Sequence, residues 1–291
     1  MPTAFIALLV YPVMALQFAV TKIGVAAGLT AVDIGGLRYL GALLLGFPLF
    51  LRADVRSMMR HRFGPFLAVG LLGGGFYGMV FATAIALTPA SHGAVIVPSL
   101  SITVAMVGTG LLTGAWPDRA RWVGLALIIG GLLVFAAGSK TGSSGFSALG
   151  DALLIVIGLM WGSASLAMKY WQVPPAAVAA SFTLTGIGAV GYWLGMEGMA
   201  AAIAAPGASL LQMVFQGGLL TVLAFALWGE LVRRIGPTRT ALGVASVPPL
   251  ALVTAVPLLG EWPTTLQYLG TGVVVAGIAL ASGAAQRRSD R

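Results

Sequence analysis

The chain has 291 residues, of which 58% are hydrophobic and only 8% are charged, against roughly 25% charged in ordinary soluble domains. Its mean hydropathy of +0.98 leaves too little polar surface to cover a protein in water, so a soluble fold is excluded. The formal charge of +8 lies mostly in short gaps between apolar runs. Basic residues anchor helices at a membrane edge in such gaps, so we expect no nucleic-acid partner.

Apolar runs of about 20 residues follow one another along the chain and do not alternate, which predicts transmembrane helices rather than barrel strands. The first run continues past Lys22 without a basic region before it, which predicts a retained helix rather than a cleaved signal peptide. The ten runs lie at about 3–22, 32–51, 64–87, 91–113, 120–138, 148–170, 176–196, 208–232, 239–259 and 265–284.

The sequence has few of the residues that enzymes use for catalysis and for metal binding. There is no cysteine, which excludes disulfides, thiolate metal sites and thiol nucleophiles together. A membrane-embedded enzyme would also need clustered His and Asp residues, and the sequence shows no such cluster. We therefore predict a protein that is not an enzyme and that has no metal site and no cofactor.

The basic residues also predict an orientation. If the N-terminus is cytoplasmic, thirteen of the 16 Lys and Arg residues lie on the cytoplasmic side, and only Lys22 and Lys140 lie on the other. The remaining one, Arg38, falls within the second run. Since cytoplasmic loops carry an excess of Lys and Arg, this asymmetry predicts ten spans with both termini in the cytoplasm.

One motif occurs twice at identical spacing. Its first copy is Gly114-Ala115-Trp116-Pro117 followed by Gly124 and Gly131, and its second is Gly260-Glu261-Trp262-Pro263 followed by Gly270 and Gly277. Each half then contains five runs, an odd number, so the second half must insert upside down. Inverted repeats of this kind are typical of alternating-access transporters. The predicted organisation is a first repeat over 1–138, a linker over 139–147 and a second repeat over 148–291.

These residues resemble a known family. Arg38-Tyr39, Trp161-Gly162 with Lys169, and the stretch from Pro248 to Gly277 are similar to the EamA repeat of the drug/metabolite transporter superfamily. The resemblance covers the whole chain as two units, although Ala115 stands where the family usually has Glu. Within the superfamily, the chain looks most like the YddG-type exporters of aromatic and other neutral amino acids. The resemblance implies a bacterial inner membrane and a central cavity between spans 1, 3, 4, 6, 8 and 9.

Polar and aromatic residues inside the runs are the candidate substrate contacts, because polar groups in a membrane are usually functional. Pro98 and Pro248 free backbone carbonyls beside hydroxyls at corresponding places in both halves, which indicates a binding site. A pair of packing kinks is the alternative. The candidates are Phe76, Tyr77, Phe81, His92, Pro98, Ser99, Trp161, Ser163, Trp228, Ser246 and Pro248.

Five charged residues are predicted to be structural or to form gating pairs: Lys22, Arg38, Lys169, Glu230 and Glu261. Arg38 lies about two turns inside its run and would be costly facing lipid. We expect it to pair with Asp33, and contact with a substrate carboxylate is the alternative. Lys22 and Lys169 end their helices, where they favour the negative helix end and extend to the interface.

The acidic residues fall near the ends of runs, so no carboxylate is placed at the midplane to carry a proton. We therefore predict facilitative export of aromatic or other neutral amino acids by alternating access. The alternatives are an exporter of another small metabolite or drug-like compound, with proton coupling, and, from a different class, a channel. Partners are then a small-molecule substrate and the lipid bilayer, with the chain a monomer or weak homodimer.

Overall fold

The computed structural model describes residues 2–114, 116–138, 148–196, 199–244, 246–260 and 262–281, and in these ranges the fold is all-α, as predicted. A 3-10 turn, Phe47–Leu51, and a π-helical segment, Gln212–Ala224, interrupt the α-helices. The helices are α1 Thr3–Ala26, α2 Ala31–Gly46, α3 Ala53–His61, α4 Phe63–Gly73, α5 Gly75–Leu87, α6 Ala90–Thr113, α7 Arg119–Ala137, α8 Ala148–Tyr170, α9 Pro175–Met196, α10 Ala200–Ala204, α11 Pro206–Leu211, α12 Phe225–Val244, α13 Val247–Leu259 and α14 Thr265–Ala281.

Seven helical stretches of the described chain are long and apolar enough to cross a bilayer, which confirms a multi-pass membrane protein. Helices α13 and α14 are shorter apolar helices, and α7 has 19 residues. These three occupy the remaining predicted runs, and their crossing of the bilayer stays a prediction. Large apolar side chains such as Leu8 and Leu133 point outward, as a lipid-facing surface requires.

The ninth predicted run differs from the observed helices. α12 continues to Val244 across a kink at Gly236, whose φ is 76°. α13 then begins at Val247. The first residues of this run thus belong to α12, and the two prolines after Val247 stand at the start of α13, where a missing N–H is tolerated.

The repeated glycines lie where α7 and α14 cross. A Cβ on Gly270 would lie 2.7 Å from the Gly131 carbonyl oxygen, and a Cβ on Gly277 would lie 2.7 Å from that of Gly124. Gly131 therefore faces Gly270 while Gly124 faces Gly277, so the two helices run antiparallel with their backbones in direct contact. The two copies of the motif pack against each other within one chain.

The remaining helix pairs show the same relation between the halves. α1 packs on α13 as α8 packs on α6, and α2 packs on the π segment as α9 packs on α4 and α5. α2 and α9 also pack on each other. The partners of α1 and α2 in the second half thus correspond in chain order to the partners of α8 and α9 in the first half.

The third run of each half is irregular. In the first half, the chain breaks between α4 and α5 at Gly74, whose φ of −104° and ψ of −128° are not helical. Thr185 on α9 covers this break, because its hydroxyl lies 2.9 Å from the Gly70 carbonyl oxygen and 3.2 Å from the Gly75 amide nitrogen. In the second half, the counterpart is the π segment. Such π-helical turns occur frequently at functional sites.

Candidate substrate site

A cavity lies at the centre of the bundle, between α1, α5, α6, α8 and α13. Its volume is about 20 Å³. Its walls are formed by Met14, Gln17, Phe18, Tyr77, Val97, Pro98, Ser101, Trp161 and Val247. Both halves of the chain therefore contribute to one site, and its lining is apolar and aromatic with a few polar groups, as small-molecule sites usually are.

Trp161 is the centre of an aromatic cluster beside this cavity. Its ring centroid lies 5.0 Å from that of Phe225, 5.6 Å from Trp228 and 5.8 Å from Tyr77. Phe182 on α9 completes the cluster at 6.2 Å. All of these side chains are buried. Ring pairs at such separations attract one another beyond their buried area, and the same surface would accept the ring or apolar side chain of a substrate.

Tyr77 and Phe81 lie together on the buried face of α5, with ring centroids 6.1 Å apart. Phe81 also contacts Phe18 of α1 at 5.5 Å. Phe76 needs a correction, because it is 62% exposed on the outside of the bundle and does not reach the cavity. Successive helical residues point about 100° apart, so placing Tyr77 inward turns Phe76 toward lipid.

The hydroxyl groups near the predicted proline sites bond to their own helix. Ser99 donates to the Val95 carbonyl oxygen at 2.7 Å, and Ser101 donates to that of Pro98 at 2.8 Å. α6 passes through Pro98 without a break. Ser163 on α8 and Ser246 before α13 are half-buried, and the side chain of Pro248 lies outside the described residues.

His92 lies on α6 toward the predicted outer side of the cavity. Its Nδ1 is 2.9 Å from the Asp151 carboxylate on α8, so the pair joins the two halves. The histidine side chain is 2% exposed and the aspartate side chain 15%. Sequence spacing could not have placed these two residues together, because they are 59 positions apart in the chain.

The expected pairing of Arg38 with Asp33 is wrong. The Asp33 carboxylate accepts hydrogen bonds from the Thr30 amide at 2.9 Å and from the Trp193 indole at 2.8 Å. Arg38 instead donates from Nε to the Thr221 hydroxyl at 3.0 Å. Five residues correspond to about 140° around a helix, so the two side chains of α2 point in different directions.

A chain of buried polar side chains runs from the cavity wall to Arg38. Gln216 donates to the Thr21 hydroxyl at 2.7 Å, and Gln212 donates to the Val20 carbonyl oxygen at 2.8 Å. Thr221 donates to the Gln216 carbonyl oxygen at 2.7 Å. We call this group the polar strip; its members are Gln17, Thr21, Arg38, Gln212, Gln216 and Thr221. The π segment was overlooked as a source of site residues, although glutamines within an apolar run are themselves a functional signal.

Three of the other charged candidates are described, and none of the three lines the cavity. Lys169 is exposed, with Nζ 5.4 Å from the Tyr170 ring centroid, and Lys22 is half-buried. Glu230 accepts hydrogen bonds from Arg233 and Arg234 on its own helix. Glu261 lies outside the described residues. Within the ranges that the structure covers, no three His, Asp or Glu side chains come together as a metal site.

Three bacterial proteins that are similar to this chain are named as efflux pumps or exporters. A protein of Salmonella typhimurium named "Probable amino-acid metabolite efflux pump" is 25% identical and matches 94% of this chain and 92% of its own length. An Escherichia coli protein of the same name is 24% identical over the same shares. A "Probable terminal-alkyne amino-acid exporter" of Streptantibioticus cattleyicolor is 26% identical over 62% of each chain.

A solved crystal structure has the same fold, with a TM-score of 0.69 over 98% of both chains at 19% identity. The model of the EamA-like transporter family matches twice, over residues 1–137 and 148–283. Together these matches cover almost the whole sequence. The chain therefore belongs to the EamA-like transporter family.

Proposed function

We propose that the protein exports aromatic and other neutral amino acids across a bacterial inner membrane through the central cavity. The observation that carries this proposal is the aromatic cluster around Trp161 beside a cavity with a few polar groups. The rings suit apolar and aromatic side chains, while a zwitterionic head group needs a small polar region. The relatives named as amino-acid exporters support the substrate class.

The mechanism we propose is alternating access between two inverted repeats with both termini in the cytoplasm. The antiparallel contact of α7 with α14 supports the inversion, and so does the match of one family model to each half. The excess of basic residues on one side supports the orientation. Rocking of one half against the other would expose the cavity first to the inside and then to the outside.

The proposed transport is facilitative, driven by the substrate's own gradient. The specific observation that favours proton coupling instead is the His92–Asp151 pair, since it places a buried imidazole against a carboxylate of the other half. Export of another small metabolite or drug-like compound is the alternative substrate class.

Uptake of radiolabelled Phe, Leu and Thr into proteoliposomes tests the function. We expect saturable flux that a pH gradient does not change, and a loss of flux in Trp161→Ala. Trp116→Ala is the matched control, because Trp116 is 53% exposed and lies outside the cluster. Absence of flux for all three amino acids contradicts the substrate class, whereas flux that never saturates indicates a channel.

The same vesicles test the coupling. If a pH gradient drives wild-type flux and His92→Gln abolishes only that dependence, the facilitative mechanism is refuted and the proton-coupled alternative takes its place. If the wild type ignores the gradient, the pair is a contact between the halves, and His92→Gln changes the maximal rate without creating any pH dependence.

A further inference from the structure

Arg38 is a buried cation without a counter-charge. The residue is 2% exposed, yet no carboxylate in the described part of the chain forms an ion pair with it. Its Nε bonds to Thr221, while its Nη2 has no hydrogen-bond partner there. A charged group at membrane depth is costly unless it is compensated. The guanidinium is therefore suited to binding an anion.

Acceptor groups without partners lie along the same strip. The side-chain carbonyl oxygens of Gln17, Gln212 and Gln216 are buried and have no hydrogen-bond partner among the described residues. Each amide nitrogen is already used, so the oxygens are the atoms left over. Buried carbonyl groups of this kind favour a donor such as an ammonium group.

The strip is connected to the substrate cavity at two points. Gln17 belongs to the cavity wall itself. Phe225, a member of the aromatic cluster, also contacts Arg38: its ring centroid is 5.7 Å from the guanidinium carbon and 5.0 Å from the Trp161 ring centroid. A substrate whose charged groups bind at the polar strip could therefore place its apolar side chain against the aromatic cluster.

We propose that the polar strip binds the head group of the substrate, with Arg38 holding the α-carboxylate and the glutamine oxygens holding the α-ammonium. This proposal rests on the proposed amino-acid transport and deepens it. Guanidinium and carboxylate form charge-assisted, paired hydrogen bonds. Recognition is then for α-amino acids as a class, with the side chain left to the tolerant aromatic cavity.

Displacement of radiolabelled Phe from the purified protein tests the assignment with two analogues, phenethylamine, which lacks the carboxylate, and 3-phenylpropionate, which lacks the amine. For the wild type we expect Phe to bind about 10- to 100-fold more tightly than phenethylamine, as expected for a hydrogen bond to a charged group. Arg38→Gln should lose this preference, because its affinity for Phe falls while its affinity for phenethylamine stays unchanged. Arg38→Lys, which keeps the charge without the planar fork, should fall between them.

Thr221→Val is a second variant for the case in which Arg38→Gln does not fold. It keeps the cation but removes the hydroxyl that positions it, and it should reduce the preference for Phe over phenethylamine. Thr271→Val is the matched control, because that buried hydroxyl donates to the Gln267 carbonyl oxygen on its own helix α14, which carries no member of the strip. It should leave the preference unchanged.

The outcomes separate the two proposals. If the wild type transports Phe but binds phenethylamine equally well, the head-group assignment is overturned while amino-acid transport stands. The head-group assignment is also overturned if Arg38→Gln and Thr221→Val both prefer Phe over phenethylamine as strongly as the wild type does. If the wild type neither binds nor transports Phe, Leu or Thr, the proposed function fails, and the head-group assignment fails with it.

Discussion

Replacing Gly270 by Ala should separate the two helices that carry the repeated motif. The added Cβ would lie 2.5 Å from the Phe135 amide nitrogen and 2.7 Å from the Gly131 carbonyl oxygen. Both atoms belong to the backbone, so no side chain can move aside. Restoring an ordinary contact distance of 3.4 Å requires α7 and α14 to separate by roughly 1 Å.

The cost follows from how steeply dispersion falls with distance. A gap of about 0.5–1 Å removes a quarter to a half of the attraction between the atoms on either side. Overpacking of this kind costs about 1–3 kcal/mol of unfolding free energy. In a domain of about 150–250 residues, each kcal/mol lowers Tm by about 2–4 °C. A Cβ on Gly131 would lie 2.8 Å from the Val274 amide nitrogen and 2.9 Å from the Gly270 carbonyl oxygen, so Gly131→Ala should lower Tm by a similar amount.

Two neighbouring glycines provide matched controls. A Cβ on Gly272 or on Gly130 would meet nothing within 4 Å, so alanine there should leave Tm unchanged or raise it, since helical Gly is about 1 kcal/mol worse than Ala. The measurement is thermal unfolding in detergent, followed by intrinsic fluorescence at one scan rate. If Gly270→Ala is as stable as Gly272→Ala, the close contact of α7 with α14 is refuted.

Three further predictions concern the site, the helix break and the surface. Trp161→Ala should abolish saturable uptake while its elution on size exclusion matches the wild type, whereas Trp116→Ala should transport normally; equal uptake in both would exclude the aromatic cluster from the site. Thr185→Val should lower the unfolding free energy by about 1–3 kcal/mol in the same thermal assay, because it removes the hydroxyl that accepts from the Gly75 amide at the break in the third run, whereas the Gly70 carbonyl oxygen keeps its hydrogen bond from the Gly74 amide. Thr271→Val loses a bond within one helix and should cost less; the reverse order would contradict the role of Thr185. Asp54 is half-buried and accepts hydrogen bonds from Arg52, which lower the pKa of its carboxyl from the ordinary value. The contribution of this pair to stability is present above that ordinary pKa and is lost as the pH falls through the lowered one. Solvent screening makes the contribution so small that Asp54→Asn should leave Tm at pH 7 unchanged, and a clear drop would contradict a weak pair.

Several residues of the candidate site could be predicted from their type and their position in the sequence. Tyr77, Trp161 and Pro98 were predicted as contacts, and they line one cavity. The prediction depended on large rings and polar groups being placed near the middle of apolar runs. Phe76 shows the limit of that reasoning, because a run that is apolar all round gives no periodic signal for which face turns inward.

The polar strip shows a second limit. Arg38 and Thr221 lie in different halves, and only the packing of α2 on the π segment brings them together. Asp33 was the nearer acidic residue in sequence, yet Trp193 and the start of α2 use its oxygens. Local spacing therefore suggested the wrong partner. That Arg38 has no ion pair among the described residues follows from the packing of the helices around it and not from the sequence.

Composition and the lengths of apolar runs determined by themselves that the chain is a helical membrane protein, because a bilayer demands long apolar segments with internally satisfied backbones. The repeated motif indicated a duplication, since matched spacing survives without any knowledge of contacts. Only the tertiary structure decided that the motif's glycines face each other across α7 and α14, that the third runs are irregular, and which side chains meet at the centre. Those features depend on packing between residues far apart in sequence, and helices that are apolar all round can pack in many ways until their neighbours restrict them.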